Sequence, residues 1–91
     1  MTYMLCRNRV ADYTTWRRVF DSHGEAHHDS GLRLVHLWRV LDDTNNVFFL
    51  FEVEDIDRAQ AFINAPESAQ AGIESGVIDG EYHFVEAVDG A

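Results

Sequence analysis

The stretch VFFLF, residues 47–51, constrains the fold of this chain more than any other. Alternate side chains of a β-strand point to opposite faces of the sheet, so Val47, Phe49 and Phe51 lie on one face and the two residues between them on the other. Both faces of the strand are therefore apolar. Sheets with one solvated face normally alternate apolar and polar residues, so VFFLF predicts a strand that is covered on both sides.

Capping and turn residues divide the rest of the chain into further elements. Asp12 and Asp55 are suitable N-caps, Gly31 and Gly76 suit helix C-termini, and DDTNN offers the turn of a hairpin. The order is β-α-β-β-α-β, which predicts an α+β, ferredoxin-like domain with a four-stranded antiparallel sheet and its helices on one face. The predicted strands are 2–10, 32–41, 47–54 and 81–88, and the predicted helices are 12–29, 56–63 and 67–75.

Helices on one face leave the second apolar face of the sheet without cover. A chain of 91 residues forms one small domain, 1–91, and has no segment to spare for this purpose. We therefore expect a homodimer in which two sheets pack face to face.

Charge and composition exclude several classes of protein. The net charge of −9 disfavours binding to nucleic acid and to anionic membrane surfaces, because both carry negative charge. No apolar run approaches the roughly 20 residues that cross a bilayer. Arg7 and Arg9 interrupt the apolar N-terminal stretch, so no secretory signal is expected, and the single cysteine, Cys6, favours the cytoplasm. The expected ligand is a small hydrophobic molecule.

The segment HGEAHHDSG, residues 23–31, contains three of the five histidines. On a continuous helix from Asp12 to about Asp29, His23 and His27 extend the apolar stripe of Trp16 and Phe20 toward the sheet. His28 lies on the flank and is expected at the surface. Gly24 weakens this prediction, because glycine is unfavourable inside a helix.

Three interpretations of His23 and His27 remain open. They are partly buried histidines bonded to nearby groups, or acid–base groups that line a ligand cleft, a role suited to the near-neutral pKa of imidazole. The third is a pair of metal ligands, since the i, i+4 spacing lets both rings reach one ion. A zinc site needs a third protein ligand, which only Glu52 or His36 offers, and no pattern specifies one. We therefore predict no metal.

Further candidate residues follow from the strand pattern. Asn8 is a polar residue in an apolar set, which is typical of a cleft, and Trp16 and Phe20 are expected to form both core and pocket wall. His36 and Trp38 share one face of the second strand and are candidates for ligand contact, core packing or the dimer interface.

The segments VADYTTWRRVFDSH and LWRVLDDTNNVFFLFEVEDIDRAQAFINAPE, with the closing aromatic strand, resemble the dimeric α+β barrel superfamily. This superfamily includes antibiotic-biosynthesis monooxygenase-like proteins, haem-degrading monooxygenases and small uncharacterised bacterial proteins. The resemblance implies a pocket between the sheet and the helices of each subunit. It is a fold signal, because such folds host oxygenases, isomerases, decarboxylases and proteins without a known reaction.

Haem-degrading members use an Asn of the first strand with a Trp and a His of the second helical region. Asn8 matches the first, whereas residues 55–76 contain neither Trp nor His, which argues against haem degradation. Related oxygenases work without metal or cofactor, through a substrate carbanion that reacts with oxygen. The resemblance implies a cofactor-free enzyme, monooxygenase-like or isomerase- or cyclase-like, for a hydrophobic aromatic or polyketide-like compound. The residues add His27 and His23 as its candidate acid–base groups and Asn8 as a polar anchor. The alternative is a non-catalytic ligand-binding or structural homodimer.

Overall fold

The computed structural model describes residues 1–89 and confirms the ferredoxin-like α+β fold. Four antiparallel strands lie in the order β2-β3-β1-β4, and the helices cover one face of the sheet. Gly90 and Ala91, the end of the predicted domain 1–91, lie outside the described residues. The elements are β1 (Thr2–Val10), α1 (Tyr13–Ser22), α2 (Gly24–Asp29), β2 (Leu32–Val40), β3 (Asp43–Val53), α3 (Ile56–Asn64), α4 (Pro66–Glu74) and β4 (Val77–Glu86).

The two central strands supply most of the core from one face of the sheet. Met4 of β1 pairs with Phe51 of β3, and Cys6 pairs with Phe49. These side chains point toward the helices, where Trp16 is almost completely buried against them. The buried core comprises Met4, Cys6, Val10, Trp16, Leu32, Val47, Phe49, Phe51, Val53 and Ala59.

The helix boundaries follow the predicted capping residues. The Asp12 carboxylate accepts a hydrogen bond from the Thr15 amide at 3.0 Å, and the Asp55 carboxylate accepts one from the Asp57 amide at 2.9 Å. Gly31 and Gly76 adopt φ angles of 74° and 76° after α2 and α4. Only glycine enters this left-handed region without steric cost, which explains why the chain turns at these two positions.

The prediction of one continuous helix over residues 12–29 is wrong. The helix breaks at His23, whose φ and ψ of −98° and 10° end α1, and a new helix starts at Gly24. Glycine costs roughly 1 kcal/mol relative to alanine inside a helix, so this position is a weak point. One bond bridges the break, because the His27 amide donates to the His23 carbonyl oxygen at 3.0 Å.

Two strand boundaries also differ from the prediction. β3 begins at Asp43, so Leu41 and Asp42 alone form the turn in place of DDTNN. Asn45 lies within β3 and not in the turn, and its side chain accepts a hydrogen bond from the Tyr13 amide at 3.1 Å. β4 begins at Val77 instead of residue 81, because its first residues continue the antiparallel pairing with the end of β1.

The outer face of the sheet, opposite the helices, is apolar at its centre, as VFFLF predicts. Leu50 of β3 lies between Leu5 of β1 and His36 of β2 on this face. Phe48 lies beside Trp38, which is 47% exposed. Within residues 1–89, no helix is long and apolar enough to cross a membrane.

Gly80 of β4 lies where a side chain does not fit. A Cβ atom at this position would be 2.6 Å from the Asn8 side-chain amide and 2.8 Å from the Arg7 carbonyl oxygen. Because the second of these atoms belongs to the backbone, we expect Gly80→Ala to lower the free energy of unfolding by about 1–3 kcal/mol in chemical denaturation.

Gly72 provides the matched control. A Cβ atom there meets nothing within 4 Å, and the residue lies inside α4. Gly72→Ala should therefore raise the stability slightly, since alanine is the better helix former. Equal stability of Gly80→Ala and the wild type would contradict the close approach of β4 to Asn8.

Candidate functional site

An open cavity of about 350 Å³ lies between the inner face of the sheet and the helices. Its floor is built from β1 and β3, one wall from α1 and α2, and the opposite wall from α3 and α4. Most of its lining is apolar. The residues that contribute are Met4, Cys6, Asn8, Phe49 and Phe51 from the floor, Trp16, Val19, Phe20, His23 and His27 from the first wall, and Phe62, Ile63 and the small side chains of α4 from the second.

His27 lies in a cage of three phenylalanine rings. Its ring centroid is 5.0 Å from that of Phe20, 5.0 Å from that of Phe51 and 5.5 Å from that of Phe62. Burial, and to a smaller extent the nearby His23, lower the pKa of His27 from 6.5 to about 4. Desolvation disfavours the charged form of an imidazole, so His27 is neutral at physiological pH.

His27 reaches this position although the helix breaks at His23. After the break, α2 continues along the same side of the sheet as α1. The ring of His27 therefore packs directly on Phe20. His23 also lines the cavity and is half-buried. His28 is exposed, which confirms the prediction for that residue. The structure thus brings together the two histidines that the stripe predicts, by a kinked path instead of a straight one.

Asn8 lines the cavity from the floor, with Trp16 above it. In the amide orientation that satisfies both polar atoms, the side-chain oxygen accepts a hydrogen bond from Trp16 Nε1 at 3.2 Å. The nitrogen donates to the Arg7 carbonyl oxygen at 3.0 Å. A primary amide has two N–H groups, so one donor of Asn8 remains for a ligand.

The thiol of Cys6 is buried beside Asn8 in the cavity floor. Burial raises the pKa of Cys6 to about 12. The group is therefore a neutral thiol at physiological pH, and it contributes packing instead of a nucleophilic thiolate.

The structure places His36 and Trp38 away from the cavity. Both lie on the outer face of the sheet, where their rings stack with centroids 4.8 Å apart. Glu52 is also on the outer face, paired with Arg33. Neither Glu52 nor His36 can therefore join His23 and His27 as a metal ligand. Among residues 1–89, no group of three or more His, Cys, Asp or Glu side chains is placed to hold a metal ion.

No pattern in the sequence singles out α4 or the start of β4 as parts of a site. α4 and its C-cap line the cavity with small residues, Ser68, Ala69, Ala71, Gly72 and Ser75, and none of the α4 residues is buried. Such a pattern looks like an ordinary solvent-facing helix. Gly80 and Tyr82 enter the site through register, because they pair with Asn8 and Cys6. Gly80 lies before the predicted start of the strand at residue 81, and Tyr82 lies within that strand, whose register against β1 the sequence does not specify.

Comparison with known proteins finds the fold but no family. No family model matches the chain, and no curated protein matches it. A solved structure of a provisionally assigned antibiotic biosynthesis monooxygenase from Bordetella bronchiseptica superposes with a TM-score of 0.79 at 11% identity, and covers 96% of each chain.

Two further solved structures superpose on the chain over nearly its whole length. A protein with the same provisional assignment from Deinococcus radiodurans gives a TM-score of 0.72 at 13% identity, over 100% of this chain and 96% of the other. An uncharacterised NIPSNAP domain protein from Burkholderia xenovorans gives a TM-score of 0.71 at 13% identity, over 100% of this chain and 98% of the other. At these identities the likeness establishes a shared ferredoxin-like fold, and any reaction has to be argued from the site itself.

Proposed function

We propose that this chain binds a small hydrophobic compound, aromatic or polyketide-like, in the cavity and converts it without a cofactor, as a monooxygenase-like or an isomerase- or cyclase-like enzyme. The observation that carries the proposal is the open apolar cavity that contains both His27 and Asn8. Its volume of about 350 Å³ falls in the range of small-molecule pockets, roughly 300–1,000 Å³. The fold of provisionally assigned monooxygenases is compatible with this chemistry.

In this proposal His27 acts as the base that removes a proton from the substrate. A neutral imidazole offers one lone pair, and among the described residues no protein group hydrogen-bonds its ring nitrogens. Proton transfer leaves an imidazolium beside a new carbanion. Among the apolar side chains of the cavity the two opposite charges stabilise each other, which offsets the low intrinsic basicity of His27. The substrate therefore needs an activated C–H group, such as a methylene next to conjugated rings and a carbonyl.

The carbanion has two fates. With dioxygen as co-substrate, its electrons pass to oxygen and a C–O bond forms; loss of the second hydrogen and cleavage of the O–O bond release water. The methylene becomes a carbonyl, so that CH₂ and O₂ give C=O and H₂O. Without an oxidant, His27 returns the proton to another atom of the substrate, and the compound is isomerised.

Asn8 and His23 support the same step. The free N–H of Asn8 donates to the substrate oxygen on which negative charge develops, as donors of an oxyanion hole do. His23 lines the cavity and also the adjoining surface depression with Glu67 and Glu74. This position suits a group that passes the proton from His27 to solvent.

The competing proposal is a non-catalytic ligand-binding or structural homodimer. The low pKa of His27 favours it, because a weak base removes protons poorly but can still form a hydrogen bond to a ligand. Turnover separates the two proposals, since only the enzyme converts the molecule that it binds.

We further propose that the outer face of the sheet is covered by a second copy of the chain. Its charges support this arrangement: the face carries Arg7, Arg9 and Arg33 together with Asp79, Glu81 and Glu52, paired in ion pairs. These six charges cancel, so the net charge of −9 resides elsewhere on the chain. Two copies can therefore approach through this face without the repulsion that the rest of the surface would impose.

The pH dependence of stability tests the environment of His27. Between pH 6.5 and about 4 the unfolded chain binds a proton at this residue and the folded chain does not, so stability falls as the pH is lowered through this window. The loss should reach about 1–2 kcal/mol, since a partly exposed ring keeps some hydration. His27→Phe should remove this part of the acid sensitivity, measured by denaturation across pH. A His27 ring resonance that titrates near pH 6.5 would contradict the prediction.

Oxidation of anthrone, a tricyclic ketone with an activated methylene, tests the proposed reaction. We expect oxygen uptake above the enzyme-free rate, and a loss of kcat/KM of ~100-fold or more in His27→Phe, because general-base catalysis contributes at least that much. His28→Phe is the matched control and should retain activity, since His28 is exposed. Full activity of His27→Phe would exclude His27 as the base. Binding of anthrone without turnover would favour the non-catalytic alternative.

The dimer is tested by the mass in solution. We expect a particle of twice 10.4 kDa by light scattering, and dissociation in Leu50→Glu, because this residue lies at the centre of the outer face. Trp38→Glu, nearer the edge, should weaken the dimer as well. Ile73→Glu, at an apolar position of α4 that is 74% exposed and lies away from the outer face, should leave it intact. A monomeric wild type would overturn this arrangement.

A further inference from the structure

The charges around the cavity are distributed unevenly. The chain contains seven arginines and no lysine, and among the described residues that line the cavity none is an arginine. Arg7, Arg9 and Arg33 lie on the outer face of the sheet. The other four pair elsewhere or face solvent: Arg17 with Asp21, Arg39 over the ring of Tyr13, Arg58 near Asp29 and Glu54, and Arg18 exposed on α1.

The carboxylate nearest the entrance, by contrast, is that of Glu67, which is exposed at the rim. Glu81 of β4 also belongs to the lining, but its carboxylate pairs with Arg7 at 2.9 Å on the outer face of the sheet. An anionic ligand that enters past Glu67 gives up its hydration and meets negative charge. Desolvation of an unpaired carboxylate is among the most unfavourable events in a protein interior.

We infer that the cavity selects uncharged aromatic molecules that offer a hydrogen to His27, from a hydroxyl, an N–H or an activated C–H group, and rejects their carboxylate analogues, because its described walls combine hydrogen-bonding groups with aromatic rings but include no arginine. This inference rests on the proposed function of the cavity as a ligand site and defines the class of substrate. The hydrogen-bonding groups are the ring nitrogens of His27 and the free amide N–H of Asn8.

The two histidines do not supply the missing positive charge. His27 is held neutral among its three phenylalanine rings, so it can exchange hydrogen bonds but cannot serve as a counter-ion. His23 lies at the border of the cavity and shares the adjoining depression with the carboxylates of Glu67 and Glu74. A hydroxyl group satisfies the acceptor nitrogen of His27, whereas a carboxylate offers no proton to it.

The rings of the wall suit a planar ligand. Trp16 and Phe20 stack with centroids 4.7 Å apart and planes inclined by 24°. Phe51 continues this surface, inclined by 26° to Phe20. An aromatic ligand that lies along these rings gains stacking contacts in addition to the burial of its own apolar area.

Three naphthalene derivatives of nearly equal shape test the inference by isothermal titration calorimetry at pH 7. 2-Naphthol is neutral and has a hydroxyl group, 2-naphthoate is an anion, and naphthalene has no polar group. We expect 2-naphthol to bind at least ~10-fold more tightly than 2-naphthoate, and more tightly than naphthalene. In His27→Phe the advantage of 2-naphthol over naphthalene should shrink, while naphthalene itself still binds.

A charge can be introduced into the wall of the cavity at Gly72. This residue lines the cavity, and a Cβ atom added to it meets no other atom within 4 Å. Gly72→Arg should raise the affinity for 2-naphthoate by ~10-fold or more and leave naphthalene little changed. Gly72→Gln, of similar polarity but without charge, is the matched control and should not raise the affinity for 2-naphthoate.

The outcomes separate this inference from the proposed function. If 2-naphthoate binds the wild type as tightly as 2-naphthol, the inference is overturned, while the cavity remains a ligand site. Failure of all three compounds to bind would contradict the proposed aromatic ligand, and the inference would fall with it. Equal effects of Gly72→Arg and Gly72→Gln on 2-naphthoate would show that charge does not govern selection.

Discussion

The packing of aromatic side chains on the inner face of β3 is the interaction on which the rest of the structure depends. Phe49 and Phe51 lie with their ring centroids 5.7 Å apart in a T-shaped arrangement, and both pack against Phe20 of α1. This contact fixes α1 over the centre of the sheet. The same rings form the floor of the cavity and one side of the cage around His27. Fold and candidate site therefore share residues, so the environment of the imidazole is set by the core itself.

Electrostatics divides the molecule into three parts. The outer face of the sheet is balanced by ion pairs such as that of Arg7 with Glu81, the described cavity lining includes no arginine, and the remaining surface carries the excess of acidic groups. A strongly acidic surface favours solubility and repels anions over distances of about 10 Å at moderate salt. Within this field, the apolar interior of the cavity and the charge-balanced outer face of the sheet are the two places where apolar partners meet the least opposition.

The sequence predicted the fold well because its signals were local and consistent. Asp12 and Asp55 cap helices, Gly31 and Gly76 end them, and the alternation within VFFLF assigns each side chain to a face. Less of the site could be predicted. The stripe that predicted His27 at the sheet assumed one continuous helix, and the break at His23 removes that assumption. His27 reaches the cavity because α2 packs on the same side of the sheet, which depends on tertiary packing. Roles that depend on register or on the absence of a side chain leave almost no local signal, as with Gly80 beside Asn8 and the small residues of α4.

The small side chains of α4 have a consequence for how such a protein diversifies. No α4 residue belongs to the buried core, yet the helix forms one wall of the cavity. Exchange of alanine, serine or glycine there for a larger residue would change the volume and shape of the cavity without disturbing Trp16, Phe49 or Phe51. The residues that hold the core together are thus separate from those that shape this wall. In a chain of this architecture, substitution in one surface helix can alter the cavity while the core stays the same.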